Sequence, residues 1–129
     1  MSLSDTRRLR SLILDWGWCD RAQGKARRLE IALCAEDPNL FALVVADESE
    51  SEQTRAWAAR FYVQAGGEMS PELVAAASSL VRLGYVVGAG ESQREGILLG
   101  FLRDPDERVS EEAREYLDEL AERCEYVNW

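Results

Sequence analysis

The chain contains no histidine. That absence removes the commonest general base near neutral pH, the usual zinc ligand, and both Ser-His and Cys-His routes to an activated nucleophile. Chemistry would then have to come from thiols, carboxylates or the sole lysine, Lys25. Cys19 is the best-placed thiol. It sits in the turn Trp16-Gly17-Trp18-Cys19-Asp20, beside Arg21 and ahead of a predicted helix, and both a neighbouring cation and a helix N-terminus lower a thiol pKa. A small side chain beside two tryptophans is the simpler role expected of it. Lys25 stands among Arg27 and Arg28 with no S-x-x-K pattern near it, so Ser-Lys chemistry is not expected. Cys19, Cys34 and Cys124 are odd in number and show no C-x-x-C spacing, which points to reduced thiols rather than a disulfide framework or a zinc site.

Carboxylates are plentiful, so only their spacing is informative. From Asp47 to Glu52 acids alternate with serines as in a calcium loop. Glu52 occupies the sixth position, where that loop needs glycine, and Ala58 the twelfth, where it needs glutamate. Gly88 and Gly90 are followed by Gln93 in place of the third glycine of a dinucleotide fingerprint, and no G-K-[ST] is present. No catalytic residue, cofactor site or metal site is expected, and the protein reads as a non-enzyme.

Charge is distributed unevenly around a net value of −9. Residues 1–28 carry Arg7, Arg8, Arg10, Arg21, Lys25, Arg27 and Arg28 against Asp5, Asp15 and Asp20, a local balance of +4. Eight basic residues against twenty-one acids follow, giving −13. Such a surface favours basic partners and repels phosphate backbones and anionic membranes, although surplus acid also serves solubility. Trp16 and Trp18 near the arginines offer stacking to bases. The acidic remainder lies within reach of a Debye length of about 8 Å, so direct nucleic-acid binding is not expected. No stretch reaches the ~18–20 apolar residues of a membrane span, and Met1 to Arg10 is too polar for a secretory signal. A single domain over residues 1–129 in the cytoplasm is the expectation.

The elements that must position these residues read as helices throughout. Leu9, Leu12, Ile13 and Trp16 recur at i, i+3, i+4 and i+7, with Arg7, Arg8 and Arg10 off the stripe. A second helix runs from Asp20 to Asp37. Asn39 to Asp47 contains the run LFALVVA, which is strand-like in composition but helical from its Asp-Pro start. Residues 51–65 carry Thr54, Trp57, Ala58, Phe61, Tyr62 and Ala65 on one face, and Gly66-Gly67 ends them. After Ser70-Pro71, Leu73, Val74, Ala77, Leu80, Val81 and Gly84 make another face, which Gly88 and Gly90 are expected to close as a loop. A short helix from Ser92 bears Gly96 and Gly100, whose cost of about 1 kcal/mol each relative to Ala predicts a tight helix contact. Asp104-Pro105 opens the last helix, with Val109, Ala113, Tyr116, Leu117 and Leu120 on one side and acids on the other.

Pro38, Pro71 and Pro105 fall 33 and 34 residues apart, each after Asp or Ser. Proline suits a first helical turn, and a stacked helix pair is about that long. The fold class expected is all-α: about seven helices, with three pairs following a leading helix and second members starting at the prolines. An irregular helical bundle is the alternative. Residues 97–120, ILLGFLRDPDERVSEEAREYLDEL, resemble a HEAT-type repeat through Asp104, Pro105, Val109, Ala113 and Leu117. Ser110 departs from the family's basic residue there. A second match lies in Asp47, Thr54, Ala58 and Tyr62, in a register that conflicts with the proline period. The resemblance implies a short right-handed stack that binds proteins on a helical surface.

Two functional expectations follow. The first is a protein–protein adaptor with an acidic binding face, its partner-binding residues being Glu111, Glu112, Glu115, Asp118 and Glu119, with Trp129 in the aromatic tail Glu125-Tyr126-Val127-Asn128-Trp129. Its partner is a protein with a basic surface, and open repeat ends allow a homodimer. The second is a small acidic inhibitor, a bacterial immunity protein or phage anti-defence protein, that blocks a basic nucleic-acid-binding surface.

Overall fold

A computed structural model describes residues 38–127. The two expected helices before Pro38, along with Cys19, Cys34 and Trp129, lie outside the described residues. Every regular element described is an α-helix: α1 (Pro38–Ala46), α2 (Glu52–Gln64), α3 (Pro71–Ala76), α4 (Ser79–Glu91), α5 (Glu95–Gly100) and α6 (Glu107–Val127).

Short helices alternate with long ones, and local chemistry explains the boundaries. The run in α1 is a helix because Pro38 fits a first turn, and Phe41, Val44 and Val45 form its buried face. Ser51 caps α2, its hydroxyl accepting from the Thr54 backbone N–H at 3.2 Å. At the other end the Gly66 N–H reaches the Val63 carbonyl and the Gly67 N–H the Tyr62 carbonyl. Gly66 supplies the positive φ of 92° that this left-handed cap requires. The same arrangement ends α4, where the Arg94 N–H reaches the Ala89 carbonyl at 2.8 Å. Gln93 takes the left-handed position there, with φ 58°.

The long helices lie side by side in the order α2, α4, α6. Gly84 and Gly88 of α4 meet Ala56 and Arg60 of α2, while Gly90 of α4 meets Tyr116 of α6. Partner positions rise together along both helices in the first pair, so α2 and α4 run parallel. Arg82, which bonds to Asp104 just ahead of α6, gives α4 and α6 the same sense. The long helices open at Glu52, Ser79 and Glu107, 27 and 28 residues apart. Each carries an inward stripe: Thr54, Ala58 and Tyr62; Val81, Tyr85 and Ala89; and Val109 and Ala113, followed by the half-buried Leu117. α1 packs on the outer side of α2, and α5 bridges α4 and α6. α3 buries none of its residues.

Several expectations need correction. The apolar stretch after Pro71 is two helices, because the backbone turns extended at Ala77 and Ser78 starts again as the cap of α4, accepting from Val81 N–H at 3.3 Å. Gly88 and Gly90 lie inside α4 rather than in a loop. The tight contact expected at Gly96 and Gly100 is absent, with nothing near where a Cβ would stand on either. It occurs instead at Gly84 and Gly88, where a Cβ would strike the main-chain carbonyls of Ala56 and Arg60. Pro38 and Pro71 open short helices, whereas Pro105 lies in the turn before α6. The proline spacing therefore does not mark equivalent points of the chain.

Candidate functional site

α6 is the longest described helix, at 21 residues against 13 for α2 and α4. Asp106, not Asp104, caps it: its carboxylate accepts from the Arg108 N–H at 2.9 Å. Asp104 instead accepts from the Asp106 N–H at 2.9 Å and forms a forked ion pair with Arg82, at 2.8 and 3.2 Å. Its side chain is only 3% exposed. Val109 and Ala113 anchor the buried side of α6, and Tyr116, Leu117 and Leu120 complete it.

The opposite side displays the acids expected to bind a partner. Glu111, Glu115, Asp118 and Glu119 are exposed and Glu112 is half-buried. None of the five lies within ion-pair distance of an arginine. Glu111, Glu115, Asp118 and Glu122 fall on one face at i, i+4, i+7 and i+11. The helical rise spaces them by about 5.5 Å.

This surplus exists because the arginines of the body are committed elsewhere. Arg55 donates to the Val45 carbonyl at 2.7 Å, tying α2 to the end of α1. Arg60 forks onto Glu91 and lies over the Trp57 ring, 4.8 Å from its centroid. Arg94 donates to the Val63 and Gly67 carbonyls at 3.1 and 2.7 Å, satisfying the free end of α2. Four of the eight arginines after Pro38 thus act as ties between elements, and the remaining four, Arg103, Arg108, Arg114 and Arg123, sit near or on α6.

The acids of α6 connect electrostatically with the end of α4. Burial, followed by the negative charge of Glu91 and Glu112, holds the Tyr116 phenol above its ordinary range; Glu119 acts in the same direction and Arg60 against it. Beside this region a groove of about 440 Å³ runs between α2 and α4. Trp57, Leu80, Leu83 and Val87 line it, with Gln53 and Arg60 among the polar groups. Nothing in the sequence pointed to this groove, since its floor exists only because Gly84 lets the two backbones meet. A second cleft of about 500 Å³ lies between Met69, Val74, Ile97 and Phe101, with Glu68 and Arg94 at its mouth.

The segment with calcium-loop alternation is a connection between α1 and α2. The Asp47 carboxylate accepts from the Ser49 N–H at 3.0 Å, and Ser51 is used as a helix cap. Among the described residues no cluster of His, Cys, Asp and Glu suits a metal ion, and no helix is long and apolar enough to cross a membrane. Comparison with protein-family models, with curated proteins and with solved structures finds no match for this chain.

Proposed function

We propose that this protein is a non-enzymatic helical-repeat module that holds a basic partner protein against the acidic face of α6. The observation that carries the reading is the set of unpaired carboxylates, Glu111, Glu112, Glu115, Asp118 and Glu119, on a helix longer than its neighbours. The three parallel, capped helices at 27- and 28-residue spacing support a stacked-repeat architecture of the kind the HEAT resemblance implies. Trp129 extends the proposed contact beyond the C-terminal end of α6.

Charge density bears on the identity of the partner's usual ligand. One carboxylate per about 5.5 Å along a helix face is sparser than the phosphates of a nucleic-acid strand, at about 3.4 Å. General recognition of a basic surface is thus favoured over imitation of a phosphate backbone. The inhibitor reading keeps one supporting feature, the excess of eighteen acids over eight basic residues after Asp37.

The test is capture of partners from the source cells on tagged protein, released in steps of rising salt, beside a variant carrying Glu111→Lys, Glu112→Lys, Glu115→Lys and Asp118→Lys. The adaptor reading expects a basic protein on the native bait, lost from the variant, with thermal melts that agree within about 3 °C because the changed positions are at the surface. Equal capture by both baits would sink it. Displacement of the captured protein by DNA or RNA would select the inhibitor.

A further inference from the structure

The groove between α2 and α4 presents four large half-buried apolar side chains, Trp57, Leu80, Leu83 and Val87, that no described element covers. Acid stands at both of its ends, with exposed Glu52 at the head of α2 and Glu91 at the foot of α4. Glu91 is shared between Arg60 and Gln64 on the groove wall. A complementary surface combines an apolar stripe about two helical turns long with flanking positive charge.

One segment of this chain outside the described residues has that pattern. Leu9, Leu12, Ile13 and Trp16 recur at one helical face, and Arg7, Arg8 and Arg10 flank them. We propose that residues 5–16 occupy the α2–α4 groove of their own molecule, with the apolar stripe on Trp57, Leu80, Leu83 and Val87 and the arginines facing the acidic rim.

Reach and effective concentration favour the molecule's own segment over a separate one. Residues 17–37 connect it to α1, and twenty-one residues span up to about 70 Å when extended. α1 and the groove both adjoin α2, so this chain length is ample. A tether of this kind sets an effective concentration of order millimolar, so even a weak contact is formed most of the time. This inference is independent of the adaptor reading, since the groove and the outer face of α6 are different surfaces.

The test uses the full chain with the photo-crosslinking residue p-benzoyl-phenylalanine at Leu83, and separately at Gln53, an exposed groove position whose replacement leaves the core intact. After irradiation, peptide mass spectrometry locates the adducts and a denaturing gel separates internal from intermolecular products. The expected result is adducts on residues 5–16 in monomeric protein from both positions. Leu12→Glu with Ile13→Glu should reduce their yield about tenfold, because two apolar anchors become charged. The same crosslinker at Glu115 should give no such adduct. Adducts found only in dimers would assign the groove to a second copy and overturn the proposal, as would adducts elsewhere or yields unaffected by the double substitution.

Discussion

α4 and α5 each carry a pair of glycines one turn apart, in opposite surroundings. Gly84 and Gly88 lie against the carbonyls of Ala56 and Arg60, where any side chain would force the helices apart. Gly96 and Gly100 face open space. The first pair turns the conformational cost of glycine into the closest helix contact of the fold, whereas the second bears that cost with no compensating contact within the described residues. An identical sequence signal therefore marks the most constrained seam and one of the least constrained surfaces.

The sharpest way to break this contrast is to add one methyl group at each place. Gly88→Ala is expected to destabilise the protein by about 3 kcal/mol or more, since the obstacle is backbone and cannot turn aside. Urea unfolding would read it, and a change below about 1 kcal/mol would show that the seam opens easily. Next in size is Asp104→Ala, which leaves Arg82 without the partner that joins α4 to the turn before α6. A loss of about 2–3 kcal/mol is expected, reduced from a fully buried pair because the arginine retains some solvent. Hydrogen exchange should then rise in α6 before α2, whereas uniform loosening would mean that the two ends are one cooperative unit.

A pH measurement sharpens the comparison from the core side. Burial pushes the Tyr85 phenol up to about 12 from an ordinary 10.0. The unfolded chain releases that proton first, so stability that is complete below pH 10 falls as pH rises toward 12. Tyr85→Phe should flatten this alkaline decline, although Tyr62, also raised mainly by burial, keeps part of it. An unchanged slope would assign the decline to other groups. The smallest effect is expected at Gly96→Ala, a stabilisation of about 0.5–1 kcal/mol, because a helix former replaces glycine where nothing obstructs it. A loss there would reveal a contact made by residues outside those described.

Much of the helical layout was legible from local chemistry. Ser51 and the Gly66-Gly67 pair delimited α2, the Pro38 start decided helix over strand for LFALVVA, and Val109 and Ala113 identified the inner side of α6. The acidic side of α6 was equally clear, because a 3.6-residue period separates faces irrespective of neighbours. Ser78 was the missed signal: together with Ser51 and Asp106 it forms a series of helix caps 27 and 28 residues apart. The prolines concealed that series. Their fixed φ suits both a first turn and an ordinary turn, so equal spacing did not imply equivalent positions.

The sequence by itself determined an all-helical chain, most of the described helix starts, the buried stripes and the charge of the outer face, since these depend on residues within a turn or two of one another. Only the tertiary structure decided which glycines are contacts, which aspartate caps α6 and which arginines are spent as ties. Those outcomes depend on partners 22 to 31 positions away in the pairs Arg82–Asp104 and Arg60–Glu91. A side chain specifies its own capacity to bond or to make room, but which group arrives to use that capacity is set by how the helices pack.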